Sequence, residues 1–198
     1  MRTFVAVPLH PEVVTAYGRW LEQCRSQASQ LKWVEPALLH VTIRFLGELD
    51  ASQVAKVKEA VRKAASHTRP FPLQVAGRGV FPDPRHPRVF WFAVEPRTAL
   101  LQLAEEVDEQ LAQAGWLPRQ EPFRAHLTVA RARPGQFVPT TFVGPWLGSS
   151  SGTLAEQDGF QLPGFEAVSP CAELVVMESR LRPGGPLYLP QARYPLGR

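Results

Sequence analysis

The sequence lacks a long apolar run and has only two cysteines among its 198 residues. A membrane-spanning helix needs roughly 20 consecutive apolar residues, and the segment from Met1 to Pro8 is too short for a secretory signal. We therefore expect a cytoplasmic protein that does not associate with membranes. Cys24 and Cys171 are far apart and have no metal-ligand spacing. We therefore expect no disulfide. Because the carboxylates also form no acidic pair, we expect no metal site, and we expect no cofactor.

The excess of positive over negative charge is also small. Lys and Arg together number 22 against 18 for Asp and Glu, which gives a net charge of +4 and a pI of about 9.4. This excess suits a polyanionic partner but does not require one, since many soluble proteins have a similar surface. Proline is abundant instead, with 20 residues. That abundance favours short strands and extended connections over long helical bundles.

Hydrophobic periodicity predicts strands that alternate with helices. The predicted strands cover 2–8, 38–46, 71–81, 88–94, 124–131 and 172–180, with a short last strand near Tyr188. The predicted helices cover 11–29, 53–65 with Ser52 as its N-cap, and 98–114. Residues 134–170 are rich in Gly, Ser and Pro and have no clear period, so we expect a loop-rich connection. The pattern is typical of an α+β protein with antiparallel sheets.

The pattern His-x-Thr occurs twice, at His40 to Thr42 and at His126 to Thr128, each time among apolar residues. In a strand successive side chains point to opposite faces, so each His shares a face with its Thr. The residues between and after them are apolar and are expected to face the core. If the fold brings the two strands together, two imidazoles and two hydroxyls meet one substrate.

This set of side chains suits acid and base catalysis on a phosphate ester. The imidazole has an ordinary pKa of about 6.5, so one histidine can be neutral while the other is protonated near neutral pH. Threonine adds a short, uncharged hydrogen-bond donor for phosphoryl oxygens. A single His-x-Thr is more often a packed strand residue than a catalyst, and the hypothesis depends on the second copy.

An arginine follows each motif, with a different spacing. Arg44 is four residues after His40 and shares its face on a regular strand, whereas Arg131 is five residues after His126 and has the opposite parity. Regular geometry therefore favours Arg44. Arg131 can reach the phosphate only if the strand ends or bulges near Ala130.

The two motifs and their surroundings resemble the signature motifs of the 2H phosphoesterases, and more closely the LigT-type RNA 2′,3′-cyclic phosphodiesterases. The resemblance rests on the segments from Lys32 to Glu48 and from Pro122 to Arg131. Further similar segments are Arg2 to Val7, Phe81 to Trp91, Met177 to Leu181 and Tyr188 to Leu196. Residues 137–169 depart from the family pattern.

The resemblance implies a single bilobal domain over 1–198, in which two antiparallel β-sheets flank a central cleft and helices lie outside. It implies metal-independent hydrolysis of RNA 2′,3′-cyclic phosphate ends to 2′-phosphomonoesters, with weak reverse 2′-5′ ligation. His40 and His126 match the catalytic pair, Thr42 and Thr128 match the phosphate-binding hydroxyls, and Arg131 matches the arginine after the second motif. Arg44 falls at a position that varies in the family.

Other interpretations of the same residues stay open. The chain could be a noncatalytic RNA- or nucleotide-binding module, or a phosphodiesterase acting on 2′,5′-linked oligonucleotides or small cyclic nucleotides. His10, His67 and His86 are expected to be solvated, although His86 lies in a basic loop that could touch an RNA backbone. The expected partner is RNA with 2′,3′-cyclic phosphate ends or cyclic nucleotides, and the protein is expected to be a monomer.

Overall fold

The computed structural model describes residues 1–148 and 162–197, which form nine strands and four α-helices. The strands, β1 to β9 in chain order, are Arg2–Pro8, Leu31–Trp33, His40–Glu48, Phe71–Phe81, Val89–Glu95, His126–Ala132, Ala167–Cys171, Glu173–Arg182 and Gly185–Pro195. The helices, α1 to α4, are Pro11–Cys24, Ala51–His67, Arg97–Gln113 and Thr140–Leu147.

All strand pairs are antiparallel and form one curled sheet in the order β7-β4-β5-β6-β3-β1-β8-β9, with β2 paired to β6. In the middle of this sheet, β3 and β6 share only a single residue pair, Val41 with Leu127. The strands on either side of that point form two antiparallel groups. The predicted α+β class with antiparallel strands is confirmed, and this one pair joins the two strand groups, which we predicted as two sheets, into a single sheet.

The helices cover the outer faces of the two strand groups. Helices α2 and α3 pack on each other and on β3, β5, β8 and β9, whereas α1 packs near β7 and α4 on β4. Val41, Ile43, Leu127 and Val129 are all buried, as the alternation predicts. The opposite face of β3 and β6, with the His and Thr side chains, is therefore left for the cleft.

Several predicted boundaries differ from the structure. Helix α1 ends at Cys24 and continues only as a short 3-10 turn over Arg25–Gln27, and the last strand is a long one. The predicted N-cap Ser52 is wrong. Asp50 caps α2 instead, because its carboxylate accepts a hydrogen bond from the Gln53 N–H at 2.8 Å while the Gln53 side chain accepts one from the Asp50 N–H.

The connection over 134–170 contains more structure than its composition indicates. It holds α4 and most of β7, whereas residues 149–161 lie outside the described part of the chain. Trp146 of α4 is fully buried, and its indole N–H donates to the Gly79 carbonyl at 3.0 Å. Its ring lies among Trp20, Phe90 and Phe92. The apolar fragment in α4 therefore closes the core of one strand group. Within the described ranges, no helix has the length and apolar character that crossing a membrane requires.

Candidate functional site

The two His-x-Thr motifs lie on neighbouring strands at the point where the two strand groups meet. Because Val41 pairs with Leu127 in an antiparallel register, continuing that register by one residue in each direction puts His40 opposite Thr128 and Thr42 opposite His126. The two histidines are then diagonal neighbours, which lie about 7–8 Å apart in a regular ladder. The middle residues of the motifs hold the strands together while the His and Thr side chains face the cleft.

Each imidazole is held in the same way by the backbone two residues before it. His40 Nδ1 lies 2.8 Å from the Leu38 carbonyl oxygen, and His126 Nδ1 lies 2.6 Å from the Arg124 carbonyl oxygen. A carbonyl oxygen only accepts hydrogen bonds, so Nδ1 carries the proton in both rings. In each histidine, Nε2 is consequently the atom that takes up or gives up a proton.

Aromatic rings flank each histidine. Phe4 and Tyr188 have ring centroids 5.0 and 5.2 Å from that of His40, and the Phe81 centroid is 5.1 Å from that of His126. Trp91 also faces the His126 ring, at 6.4 Å, and packs over Gly79, where any Cβ would overlap the indole. These contacts restrict the rotation of both imidazoles.

The surroundings of both histidines favour the neutral imidazole. Burial is the main cause that lowers the pKa of His40, and the positive charges of Arg131 and His126 lower it further. Burial and the charge of Arg131 likewise lower the pKa of His126. In each ring the hydrogen bond to the backbone carbonyl opposes this effect. Without an anion in the cleft, the imidazoles are therefore neutral to a lower pH than free histidine.

A β-bulge brings Arg131 to the face of the motif. Thr128 and Ala130 pair with consecutive residues of β5, which leaves Val129 without a partner on that strand. The extra residue reverses the alternation, so Val129 and Ala130 are both buried and Arg131 returns to the side of Thr128. The Val129 carbonyl accepts hydrogen bonds from the Val34 N–H at 2.8 Å and the Tyr17 hydroxyl at 3.2 Å. The condition that the sequence sets for Arg131, a bulge near Ala130, is met.

The first motif has a bulge at the equivalent place, and it corrects the expectation for Arg44. Thr42 and Arg44 pair with consecutive residues of β1, so Ile43 has no partner there. Arg44 is turned toward α3, where its guanidinium is 3.3 Å from the Asp108 carboxylate and its side chain is 11% exposed. The residue that returns to the cleft is Phe45, which is 51% exposed. Regular alternation fails for Arg44 because the bulge inserts one residue.

A cavity of about 400 Å³ joins these residues. It is lined by all five side chains that the sequence singles out, namely His40, Thr42, His126, Thr128 and Arg131. We call it the motif cavity. Its described lining contains two arginines, Arg2 and Arg131, and no carboxylate, so it favours an anion. Within residues 1–148 and 162–197, no three His, Cys, Asp or Glu side chains are grouped so that they could hold a metal ion.

Two further residues of the motif cavity have no signal in the sequence beyond the family resemblance. Arg2 lies with its guanidinium carbon 4.8 Å from the centre of the Phe45 ring, and Tyr188 covers one side of His40. Both come from strands remote in sequence from the motifs. The remaining histidines do not line this cavity: His10 and His86 are exposed, and the His67 imidazole is 2.8 Å from the Glu106 carboxylate.

Comparison with known proteins agrees with the geometry. A family model described as LigT like Phosphoesterase matches residues 7–91. A protein of Methanothermobacter thermautotrophicus named RNA 2′,3′-cyclic phosphodiesterase is 31% identical over 189 residues, which are 95% of each chain. A protein of Archaeoglobus fulgidus with the same name is 32% identical over 188 residues, or 95% of this chain and 96% of that one.

Solved structures share the architecture over almost the full length. A crystal structure of a Thermus thermophilus protein superposes with a TM-score of 0.75 at 26% identity, covering 99% of this chain and 98% of the other. The crystal structure of E. coli LigT complexed with 3′-AMP gives a TM-score of 0.68 at 24% identity, covering 100% and 98%. Because the E. coli protein is only 24% identical to this chain, the similarity shows a shared fold and no more.

Proposed function

Because the chain belongs to the LigT-like phosphoesterase family, we propose that this phosphoesterase hydrolyses RNA 2′,3′-cyclic phosphate ends to 2′-phosphomonoesters. The relatives that match 95% of this chain have names that specify this substrate. One observation carries the proposal: two imidazoles with Nδ1 engaged by the backbone share one carboxylate-free cavity with Arg131. Two-histidine acid and base catalysis is the chemistry that this arrangement supports best.

His126 is the proposed base and His40 the proposed acid. Neutral His126 accepts a proton from water at Nε2 as the water oxygen attacks phosphorus, and protonated His40 donates its Nε2 proton to the ribose 3′ oxygen as the P–O3′ bond breaks. The product has a 2′-phosphate and a free 3′-hydroxyl. The proposed reaction uses no metal and no cofactor. The pair returns to its starting state when His126 releases its proton to solvent and His40 takes one up from solvent.

Thr42, Thr128 and Arg131 are the proposed phosphate ligands. Thr42 and Thr128 line the motif cavity together with both histidines, one threonine from each strand, which supports their proposed contact with one phosphoryl group. Arg131 supplies a permanent positive charge where negative charge accumulates on the phosphoryl oxygens. Because water and the leaving oxygen lie on opposite sides of phosphorus, an acid and a base on different strands are suitably placed.

The substrate itself sets the protonation state of the pair. Burial and Arg131 lower the pKa of both histidines, whereas the negative charge of a bound phosphodiester stabilises the imidazolium form. Binding therefore favours uptake of one proton by the pair, which leaves one acid and one base. The pair therefore reaches its catalytic protonation state when a phosphodiester is bound in the motif cavity.

The same steps with a 5′-hydroxyl in place of water would join two RNA ends through a 2′,5′ linkage. We propose this ligation as a weak side activity, since water is far more abundant. We also propose that residues 1–198 act as a single bilobal domain, monomeric and cytoplasmic.

The test is to incubate the protein with RNA ending in a 2′,3′-cyclic phosphate in the presence of EDTA and to compare the product with authentic 2′- and 3′-phosphate standards. We expect complete conversion to the 2′-phosphate. A 3′-phosphate product would reverse the leaving group and with it the roles of His40 and His126. Absence of a product would favour a noncatalytic binding module, and cleavage of only 2′,5′-linked oligonucleotides would change the substrate.

A further inference from the structure

A second, larger cavity opens directly from the motif cavity. It has a volume of about 1250 Å³ and shares Thr42, Phe45 and His126 with the motif cavity. Its other walls are the start of α2, the end of β4 with the following turn, and the chain over 114–124. We call it the outer groove. Pockets for one small molecule are typically 300–1000 Å³, so the motif cavity suits one nucleotide end and the outer groove is larger than one such ligand requires.

The outer groove has more positive than negative charge. Lys56, Arg88 and Arg124 line it, are exposed, and form no ion pair within 4.0 Å among the described residues. Besides the hydrogen bond from the Gln53 N–H, the charge of Lys56 helps to lower the pKa of Asp50, and the Arg124 guanidinium carbon lies 5.5 Å from the centre of the Phe81 ring. Glu121 is the only carboxylate in its described lining. Arg44 and Arg119 also line it, but both are engaged by Asp108. The groove therefore offers three available cations to a polyanion.

Aromatic side chains also line the outer groove. Phe45, which is 51% exposed, lines both the outer groove and the motif cavity, with the Arg2 guanidinium carbon 4.8 Å from its ring centre. Trp116 and Phe123 line the groove and are half-buried, and the Arg119 guanidinium carbon is 5.4 Å from the Phe123 ring centre. A positively charged groove with interleaved aromatic rings is the arrangement that binds single-stranded nucleic acid, because phosphates pair with the cations and bases stack on the rings. An apolar small molecule would not account for the three available cations.

We infer that the outer groove binds the single-stranded RNA that precedes the cyclic end, so the preferred substrate is an oligonucleotide and not a cyclic mononucleotide. The inference rests on the proposed function, since the cyclic phosphate is at the 3′ end and the strand must leave the motif cavity in the 5′ direction. The outer groove adjoins the motif cavity at the histidine that the proposed mechanism uses as base. Phosphates of the strand contact Lys56, Arg88 and Arg124, and its bases stack on the aromatic rings.

The experiment compares kcat/KM for a ten-nucleotide RNA with a 2′,3′-cyclic end with kcat/KM for a 2′,3′-cyclic mononucleotide. We expect the wild-type protein to prefer the decanucleotide by about 100-fold or more at low salt. The double variant K56Q/R88Q should lower this ratio at least tenfold. It should also make the slope of log kcat/KM against log salt concentration shallower by about 1.4, since each phosphate contact with a single strand contributes about 0.7.

The control variant R19Q/R69Q removes two exposed arginines that do not line the outer groove. It should keep the wild-type ratio and salt slope. A wild-type ratio near one, or a ratio that K56Q/R88Q leaves unchanged, would overturn the inference while the proposed function stands.

If neither substrate is hydrolysed, the proposed function fails and fluorescence anisotropy still tests the outer groove. The titration uses the same decanucleotide with a 5′-fluorescein label. Binding that weakens at least tenfold in K56Q/R88Q and not in R19Q/R69Q supports an RNA-binding groove. Equal binding by all three proteins excludes it.

Discussion

The two halves of the motif cavity have nearly the same backbone but different chemistry. Each half provides a strand with His-x-Thr, an Nδ1 bonded to the carbonyl two residues earlier, and a bulge directly after the threonine. The halves differ at the fifth residue after each histidine, which the bulge returns to the cleft. That residue is Phe45 in one half and Arg131 in the other.

This difference separates two tasks. Proton transfer needs one imidazole from each side of the phosphate, and the duplicated backbone provides both. The motif strand itself supplies a cation only in the second half, where the charge of Arg131 also lowers the pKa of both histidines. In the first half the equivalent residue is aromatic, and the nearby cation comes from β1, with the Arg2 guanidinium carbon 4.8 Å from the centre of the Phe45 ring.

The largest loss of activity is expected for substitution of the two histidines, which both halves have in common. H40A and H126A should each lower kcat for a 2′,3′-cyclic mononucleotide by about 10³-fold, because each removes one of two proton-transfer groups. The double variant should be little worse than either single variant, since the two groups act as a unit. Steady-state kinetics measure this. A near-normal rate in either single variant would refute the two-histidine mechanism.

The next effect should distinguish the halves. R131A is expected to lower kcat/KM by about 100-fold, the loss typical of removing one group that stabilises transition-state charge. F45A should lower it less than tenfold and mainly through KM, because a phenyl ring carries no charge. Mononucleotide kinetics on purified, folded variants provide the comparison. Equal losses in the two variants would mean that the halves are not specialised in this way.

The pH profile of kcat/KM should shift in opposite directions when a positive charge is removed from one half and when one is added to the other. The free enzyme needs one neutral and one protonated imidazole, so the bell-shaped profile of kcat/KM lies between two pKa values that are both below the ordinary value of about 6.5. R131A removes a positive charge, raises both pKa values and moves the profile to higher pH. F45R adds one and moves it to lower pH. Profiles that coincide with wild type would exclude Arg131 as a determinant of the pKa values.

The smallest effect on catalysis is expected for Arg44, the arginine that regular alternation favours. R44A should change mononucleotide kcat/KM less than threefold but lower the free energy of unfolding by about 2 kcal/mol, because it removes the ion pair with Asp108, which keeps Arg119 as its partner, and the hydrogen bond donated to the Leu117 carbonyl. Urea denaturation measures the stability, with the exposed Arg19 changed to Ala as the matched control. A loss of activity as large as that of R131A would show that Arg44 acts on the phosphate.

Much of the cleft follows from local chemistry. Alternation along β3 and β6 is enough to predict which side of each motif is buried, and the spacing of His and Thr is enough to predict that they share a face. The strand order and the shared cavity needed the family resemblance, because pairing partners far apart in sequence leave no periodic signal. The helix in the 134–170 connection was missed since its eight residues are too few for a period to emerge.

The sequence by itself determined the two half-sites, because the alternation of a strand is a property of its own backbone. Only the tertiary structure decided which later residue completes each half. A bulge exists only relative to a neighbouring strand, and its position depends on how β3 pairs with β1 and β6 with β5. The residue inserted directly after each threonine turns Arg44 to the helix side and brings Phe45 and Arg131 to the cleft. No pattern within the nine residues of β3 or the seven of β6 encodes that choice.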